Sequence, residues 1–305
     1  MNRRSFIRNM TLAGGAISLQ HPWEMIGGIR KKTPLLSFST LGCPKWPLEK
    51  ILNTAVQFQY NGIEIRGIQG ELDLPKSPLF SSPEAIKQTS RLIREKGLVI
   101  AGLGSSAELH HADMVKRQSN LDSAKRFIDL AASLGGTNVR VFPNNLPKEE
   151  EKAVVLARIA EGLQELGTYA AGKKVRVLME THGELVWSDD ILAVMKQVTA
   201  PDTGLIWDIY NMWTVSKESP AQVFAKLKPY IYHTHIKDSV KRDGKENYVL
   251  LGQGEAPLKE AITSLKASSY KGFYSFEWEK LWHPEIAEPE VAIPDFPQAF
   301  RKIWG

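Results

Sequence analysis

Four residues able to bind a metal ion stand at or near the ends of four successive apolar runs in this chain. They are Glu180 after KVRVLM, Asp208 after TGLIW, His235 in YIYHTHIKD and Glu277 after GFYSF. Three carboxylates and one imidazole suit Mn²⁺, Mg²⁺, Co²⁺ or Zn²⁺ rather than a soft metal held by thiolates. A carboxylate beside buried apolar residues also costs free energy unless it is paired or metal-bound. The pattern therefore predicts one metal site built from these four residues.

Two alternatives stay open, one for the role of the acids and one for the choice of histidine. Taken singly, each acid is more typical of a cap at the start of the next helix. The set of three acids with a histidine at the matching place on a fourth strand favours the metal site. His233 competes with His235, because alternate residues of a strand point to the same side. We favour His235 because it lies nearer the carboxyl end of its strand.

The elements that must position these residues alternate along the chain. Runs typical of strands occupy 35–40, 62–66, 98–104, 138–142, 174–180, 203–208, 230–236 and 272–277. Segments with helical spacing occupy 47–60, 83–96, 117–134, 148–172, 188–198, 220–228, 257–268 and 288–303. Eight such pairs predict an α/β fold, a (β/α)₈ TIM barrel, in which the carboxyl ends of the strands share the functional face. The alternative, an open doubly wound sheet, lacks its usual glycine-rich motif after the first strand.

Composition places the chain among ordinary globular enzymes. The 305 residues are 43% hydrophobic and 24% charged, and the single cysteine, Cys43, excludes an intrachain disulfide or a thiolate metal cluster. No composition break or low-complexity tract interrupts the rest of the chain after residue 32. We therefore expect residues 33–305 to form a single catalytic barrel domain.

The first 32 residues have the character of an export signal. MNRRSFIRNM carries paired arginines, and the small and apolar TLAGGAISL that follows is too short to span a bilayer. We interpret residues 1–32 as a twin-arginine-type signal and linker, which predicts a periplasmic protein. A merely basic N-terminus is the alternative, and the protein is then cytoplasmic.

The charge balance argues against a nucleic-acid partner. Of the 39 basic and 34 acidic residues, six basic and one acidic lie within residues 1–32, which leaves 33 of each in the remainder. A nucleic-acid-binding domain usually carries a basic surface. We expect no nucleic acid and no membrane span. The aromatic segment WEKLWHPEI suits either a lid or a contact between copies of the chain, so a homo-oligomer is left open.

The segments LMETHG, WDIYN, HIKD, LGQGE and YSFEWEK together resemble the sugar phosphate isomerase/epimerase family, whose fold is the xylose-isomerase-like TIM barrel. The resemblance extends over roughly residues 35–283. It implies one divalent ion, most often Mn²⁺, held by Glu180, Asp208, His235 and Glu277. It also implies that Glu180 and Glu277 are catalytic, moving a proton to and from the substrate carbon through an enediolate.

The resemblance implies a small carbohydrate substrate and leaves the reaction open. A sugar isomerase or epimerase acting on a keto-sugar or cyclitol is the leading interpretation. Some relatives cleave 3-keto-glycosides by the same proton abstraction, and a non-catalytic sugar-binding barrel is a third alternative. Asn211 replaces a histidine that many members carry, and Arg242-Asp243-Gly244-Lys245 replaces the Asp-x-His pair of the endonuclease branch. Both differences argue against a trinuclear zinc enzyme of DNA repair.

Six further residues are candidates for substrate binding. Arg66 and Arg140 lie on or at the end of strands 2 and 4, and His182 lies two residues after Glu180. His182 is equally well read as a proton shuttle or as a residue behind the site, and Arg140 as the partner of an interior acid. Asn211, His110 and Trp213 complete the set. Gly252-Gln253-Gly254-Glu255 suits either a phosphate cradle of backbone N–H groups or a plain tight turn.

Overall fold

A computed structural model of the protein describes residues 33–305 and shows a closed parallel barrel of eight strands. The strands are β1 Leu35–Ser39, β2 Gly62–Ile65, β3 Val99–Glu108, β4 Asn138–Phe142, β5 Arg176–Glu180, β6 Thr203–Asp208, β7 Ile231–Ile236, β8 Asp238–Arg242, β9 Lys245–Val249 and β10 Phe273–Phe276. The barrel consists of β1 to β7 and β10, with β10 hydrogen-bonded to both β7 and β1. The predicted barrel is therefore confirmed, and the open-sheet alternative is wrong. The predicted export signal lies outside the described residues.

Helices follow the barrel strands in alternation. Those of residues 33–305 are α1 Leu48–Gln57, α2 Pro83–Glu95, α3 Met114–Ser133, α4 Lys152–Ala170, α5 Ser188–Met195, α6 Ile209–Ser216, α7 Pro220–Leu227, α8 Leu258–Ala267 and α9 Pro289–Trp304. Helix α2 illustrates the local signals, since Ser82 accepts a hydrogen bond from the Ala85 N–H and proline takes the first helical position. Among the helices of residues 33–305, none has the length and apolar character that a membrane crossing requires.

The barrel strands are buried on both of their faces: one face packs into the large apolar core, and the other lines the barrel interior. On β5, Val177 and Met179 belong to the large apolar core, while Leu178 and Glu180 point to the opposite side, the barrel interior. The interior is apolar at its lower end, where Ala101 and Phe273 pack together with flanking residues of β1 and β3. Polar side chains fill the upper end. The fold thus places charged groups at the carboxyl ends of the strands, above an apolar floor.

Two elements beyond the predicted alternation lie at this upper end. The antiparallel hairpin β8–β9 begins directly after β7, and its tight turn places Asp243 at φ 51° and Gly244 at φ 76°. Left-handed conformations at both central positions are typical of a type I′ turn, which explains the Asp–Gly pair. The short helix α6 starts at the end of β6, with Asp208 as its N-cap.

Candidate metal centre and active site

The four predicted ligands meet at the carboxyl end of the barrel. In the strand register Asp208 lies opposite His235, and His235 lies opposite Ser275, two residues before Glu277. One ligand atom from each of Glu180, Asp208, His235 and Glu277 lies within 4.8 Å of the others, and all four residues are buried. We call this set the central cluster. His233 is absent from it, although it shares a strand face with His235.

His235 shows how the central cluster fits a cation. Its Nδ1 lies 3.3 Å from Glu180 Oε1 and 3.2 Å from Glu277 Oε1, yet it makes no hydrogen bond. Its Nε2 lies 3.0 and 3.1 Å from the two oxygens of Glu64, a buried residue of β2. A histidine that binds a metal commonly donates its other ring N–H to a carboxylate in this way. The donor set, with Nδ1 facing the carboxylate oxygens of Glu180 and Glu277, therefore fits a divalent ion.

Asp208 uses its two carboxylate oxygens differently. Its Oδ1 accepts the backbone N–H of Asn211 at 2.8 Å and so caps helix α6. Its Oδ2 makes no hydrogen bond, although it lies 2.8 Å from the ammonium nitrogen of Lys237. The two interpretations offered for this acid by the sequence are thus compatible, because each uses a different oxygen.

Two buried cations surround the acids. Lys237 Nζ lies 2.8 Å from Glu277 Oε2 and 2.6 Å from Glu279 Oε1, besides its contact with Asp208. Arg140 Nη1 lies 3.0 Å from Glu180 Oε2 and 3.6 Å from Glu277 Oε1. Buried carboxylates need such partners to offset their lost hydration. Glu279, which follows Glu277 by two residues, pairs with Lys237 and is absent from the central cluster.

These contacts set the protonation of the cluster. Burial raises the pKa of Asp208 to about 7, against the opposing effect of Lys237. Burial alone would also raise the pKa of Glu277, but His235 and Lys237 outweigh it and hold that pKa well below the usual range. For His235, burial is outweighed by Glu277, Glu64 and Glu180, so its pKa is raised well above the ordinary value. Without a cation, His235 is therefore protonated at neutral pH, and Asp208 takes up a proton as the pH falls through about 7.

Arg66 and Arg140, the arginines predicted at strands 2 and 4, lie next to each other. Arg66 Nη2 donates to Ser106 Oγ at 2.9 Å. Gly104 makes room between them, because a Cβ there would lie 2.6 Å from Arg66 Cδ and 3.3 Å from Arg140 Nη2. Burial, followed by the neighbouring Arg140, lowers the pKa of Arg66 to about 9. Arg140 pairs with interior acids, the second of the two roles considered for it.

A polar chain leads from His182 toward the barrel rim. Asn144 Nδ2 donates to Glu108 Oε1 at 2.5 Å, so its Oδ1 must be the acceptor facing His182 Nδ1 at 2.8 Å. His182 therefore carries its proton on Nδ1 and leaves Nε2 as a hydrogen-bond acceptor. Burial lowers the pKa of His182, which is consistent with a neutral ring. Such a nitrogen can accept a hydrogen bond from a substrate hydroxyl.

The remaining predicted residues lie around this centre rather than in it. His110 is buried next to His111 and Glu108, and we call these three residues the rim cluster. Asn211 reaches the central cluster through its backbone N–H. Trp213 lies on α6, where its ring packs beneath the Lys217 ammonium at 4.1 Å.

Three residues of the site were missed by the sequence reasoning: Glu64, Lys237 and Asn144. Glu64 could have been found, because it is an acid in an apolar strand, like the three predicted acidic ligands. Its neighbours in the sequence are Ile63 and Ile65. The phosphate cradle at Gly252–Glu255 is not supported. The Gly252 and Gly254 N–H groups both donate to Asp238 Oδ2 at 2.9 Å, so the protein's own carboxylate occupies them.

Comparison with known proteins agrees with this architecture. The profile of the family described as xylose isomerase-like TIM barrel matches residues 52–299. The fructoselysine 3-epimerase of Shigella flexneri is 25% identical over 275 residues, which cover 87% of this chain and 96% of that protein.

Solved structures of the same fold superpose over most of the chain. The IOLI protein with a bound zinc atom has a TM-score of 0.74 at 17% identity, covering 88% of this chain and 97% of that one. The 3-keto-D-glucoside 4-epimerase of E. coli has a TM-score of 0.70 at 16% identity, covering 88% of this chain and all of that one. At these identities the likeness concerns the fold.

Proposed function

Because the chain belongs to the xylose isomerase-like TIM barrel family, we propose that it is a divalent-metal-dependent sugar isomerase or epimerase acting on a keto-sugar or cyclitol. The observation that carries this proposal is the position of His235 Nδ1, which lies 3.3 Å from Glu180 Oε1 and 3.2 Å from Glu277 Oε1 while Glu64 holds the other ring nitrogen. The similarity to a sugar-derivative epimerase over nearly its whole length supports the same reaction class.

The proposed ligand atoms are Glu180 Oε1, Asp208 Oδ2, His235 Nδ1 and Glu277 Oε1. Mn²⁺ is our first choice, since three carboxylates and one imidazole form an oxygen-rich set, and Mg²⁺, Co²⁺ and Zn²⁺ suit the same donors. The cation supplies one thing to the chemistry: it polarises the substrate ketone and so acidifies the neighbouring C–H bond.

We assign proton transfer to the second oxygens of the two glutamates. Glu180 Oε2 and Glu277 Oε2 face away from His235, and each contacts a different cation, Arg140 and Lys237 respectively. One carboxylate accepts the proton from one face of the substrate carbon. The other carboxylate, in its protonated form, gives a proton to the opposite face and inverts the centre, whereas return of the abstracted proton by the first carboxylate to the adjacent carbon gives isomerisation.

The substrate is held, in this proposal, by the neutral His182 Nε2, the buried guanidinium of Arg66 and the side chain of Asn211. Each offers a hydrogen bond to a hydroxyl group; Arg66 follows β2, His182 follows β5 and Asn211 lies on α6, so they approach the mouth from different sides. Trp213 lies on α6 outside the central cluster, and we assign it a contact with the distal part of a longer substrate.

Hydrogen–deuterium exchange tests the proposal. The Mn²⁺-loaded protein is incubated in D₂O with free ketoses, inososes and 3-keto-glucosides, and deuterium next to the carbonyl is followed by NMR. We expect exchange with at least one substrate class and a loss of at least about 10³-fold in Glu180→Gln. Glu161→Gln, which changes an exposed glutamate of α4, is the matched control.

The products and the bound metal separate the alternatives. An epimer or isomer supports the proposal, whereas release of an aglycone identifies 3-keto-glycoside cleavage. Tight metal and sugar binding without exchange identifies a sugar-binding barrel. Failure of Glu180→Gln to reduce metal binding or exchange contradicts the assigned site.

We also infer that residues 1–32 direct the protein to the periplasm through a twin-arginine signal. Arg3 and Arg4 are the residues that such a signal requires. Replacement of both by lysine is expected to retain the protein in the cytoplasm, as measured by fractionation of cells. Unchanged export of that variant contradicts the inference.

A further inference from the structure

The rim cluster has the composition of a metal site but lies apart from the central cluster. Glu108 ends β3, and His110 and His111 follow in the loop before α3. His111 Nε2 lies 3.0 Å from Glu108 Oε2, and His110 Nδ1 lies 3.9 Å from the same oxygen. Two atoms bound to one Zn²⁺ lie about 3–4 Å apart, given metal–ligand distances of about 2.1 Å. Small side-chain adjustments would therefore let all three atoms bind one ion.

An unpartnered nitrogen points into this cluster. The His110 side chain is 7% exposed, and its Nδ1 makes no hydrogen bond. A buried ring nitrogen without a partner loses hydration without compensation. A cation between His110 Nδ1, His111 Nε2 and Glu108 Oε2 would supply the missing partner.

The protein holds the three residues in place from outside the cluster. Asn144 binds the Oε1 of Glu108 and leaves Oε2 directed at the histidines. The backbone N–H of Glu108 donates to Asn120 Oδ1 at 2.9 Å, and the carbonyl of His110 accepts from Arg158 Nη1 at 2.8 Å. Such supporting contacts are a property of built ligand sites.

We propose that Glu108, His110 and His111 form a second divalent-cation site. Two imidazoles and one carboxylate favour Zn²⁺ over Mg²⁺ or Mn²⁺, because the nitrogen content is higher than in the central cluster. Glu108 and His111 have side-chain exposures of 33% and 21%, so the outer coordination positions are open to water or to a substrate hydroxyl. The site uses neither Asn211 nor any residue of the central cluster, so the expectation of a single ion at that cluster is unaffected.

Metal stoichiometry tests this proposal with the untagged full chain. After dialysis against Zn²⁺, we expect two ions per chain in the unaltered protein and one in Glu108→Gln and in His111→Ala. Glu277→Gln is expected to retain the rim ion alone. His283→Ala, which changes a histidine next to Glu279 and Glu285 outside both clusters, is the control and should keep two ions.

Anomalous diffraction at the zinc edge locates the ions independently of any variant. A peak bounded by the three rim residues supports the proposal. One ion per chain in the unaltered protein, or a second ion that survives both rim substitutions, would overturn it. These outcomes are distinct from failure of the proposed enzymatic function, because they involve no turnover.

Discussion

The central cluster and the rim cluster are both made of acidic residues and histidines, yet their surroundings differ. The central cluster takes its donors from four strands of a closed barrel, and Glu64, Arg140 and Lys237 hold them from the sides. The rim cluster takes three donors from one strand end and its loop, and part of it faces solvent. Strands fix geometry better than loops do. We therefore expect tight binding and chemistry at the centre, and weaker, exchangeable binding at the rim.

The buried charge balance is the largest difference between the two clusters, and Lys237→Met tests it. Removing one member of a buried ion pair costs about 3–5 kcal/mol, because the remaining charges lose their partner. We expect this loss of unfolding free energy in chelator-treated protein, because Lys237 contacts three buried or half-buried acids. A cation in the central cluster offsets the same negative charge, so Mn²⁺ should reduce the loss. Urea unfolding with and without metal measures both effects.

The control for that experiment is Lys76→Met. Lys76 pairs with Asp73 at 2.9 Å but is 74% exposed. Exposed pairs of this kind contribute about 0–1 kcal/mol. An equally small effect for Lys237→Met, or one that Mn²⁺ leaves unchanged, would contradict the proposed link between this lysine and the metal site.

Glu64→Gln tests how the central histidine is held. The amide keeps the shape of the side chain but removes the charge that faces Nε2 of His235 and Nε2 of His233. Loss of such a partner usually lowers metal affinity by about 10–100-fold. Competition with a fluorescent chelator measures the change at the central cluster. Glu108→Gln, which alters the rim alone, should leave that affinity unchanged; the same loss in both variants would count against the distinction.

The pH dependence of metal binding sharpens the contrast further. With a pKa of about 7, Asp208 is mostly protonated below that pH in the metal-free protein, and a cation must displace the proton. His235, whose pKa is raised well above its ordinary value, must also lose a proton. Central affinity should therefore fall by at least about tenfold per pH unit as the pH drops below 7. Calorimetric titrations at several pH values measure it, and a flat profile would refute the prediction.

The sequence predicted the barrel from its alternating strand and helix runs, and the four central residues from their matching places on successive strands. Each strand-final acid alone is more typical of a helix cap, but an acid there has few inexpensive environments, and the three acids together with His235 favoured a metal site. Lys237 did not stand out, because a lysine after a strand usually extends into solvent. Lys237 can be buried because Glu277 and Glu279, which follow β10, lie next to it. These acids come close to Lys237 when β10 pairs with β7 and the barrel closes.

The role of Glu64 could not be predicted from its residue type alone, because it depends on which face of the strand points into the barrel. Glu64 occupies the middle of β2, where local pattern does not tell which face of a doubly buried strand points inward. Its partner histidines follow about 170 residues later in the chain. The hairpin β8–β9 was missed for a different reason, since its Asp243–Gly244 turn was read as a departure from a metal motif and not as turn chemistry.

Asn144 connects the rim cluster with His182, and its replacement should have the smallest effect. The side chain binds both Glu108 and His182, and the backbone is left-handed at φ 53°, a conformation that asparagine tolerates. Asn144→Gly keeps the backbone conformation and removes both hydrogen bonds, so the His182 proton is no longer fixed on Nδ1. We expect KM to rise a few-fold, about 1 kcal/mol for one lost hydrogen bond, with little change in kcat.

Asn144→Ala separates the hydrogen bonds from the backbone. Alanine also loses both bonds but is strained in the left-handed region by roughly 1–2 kcal/mol. The two variants should therefore share the same rise in KM, while Asn144→Ala melts at the lower temperature. If KM rises in Asn144→Ala and stays unchanged in Asn144→Gly, then the backbone of this residue matters and its side chain does not connect the rim with the centre. A shared rise in KM instead shows that the side-chain hydrogen bonds of Asn144 support substrate binding at His182.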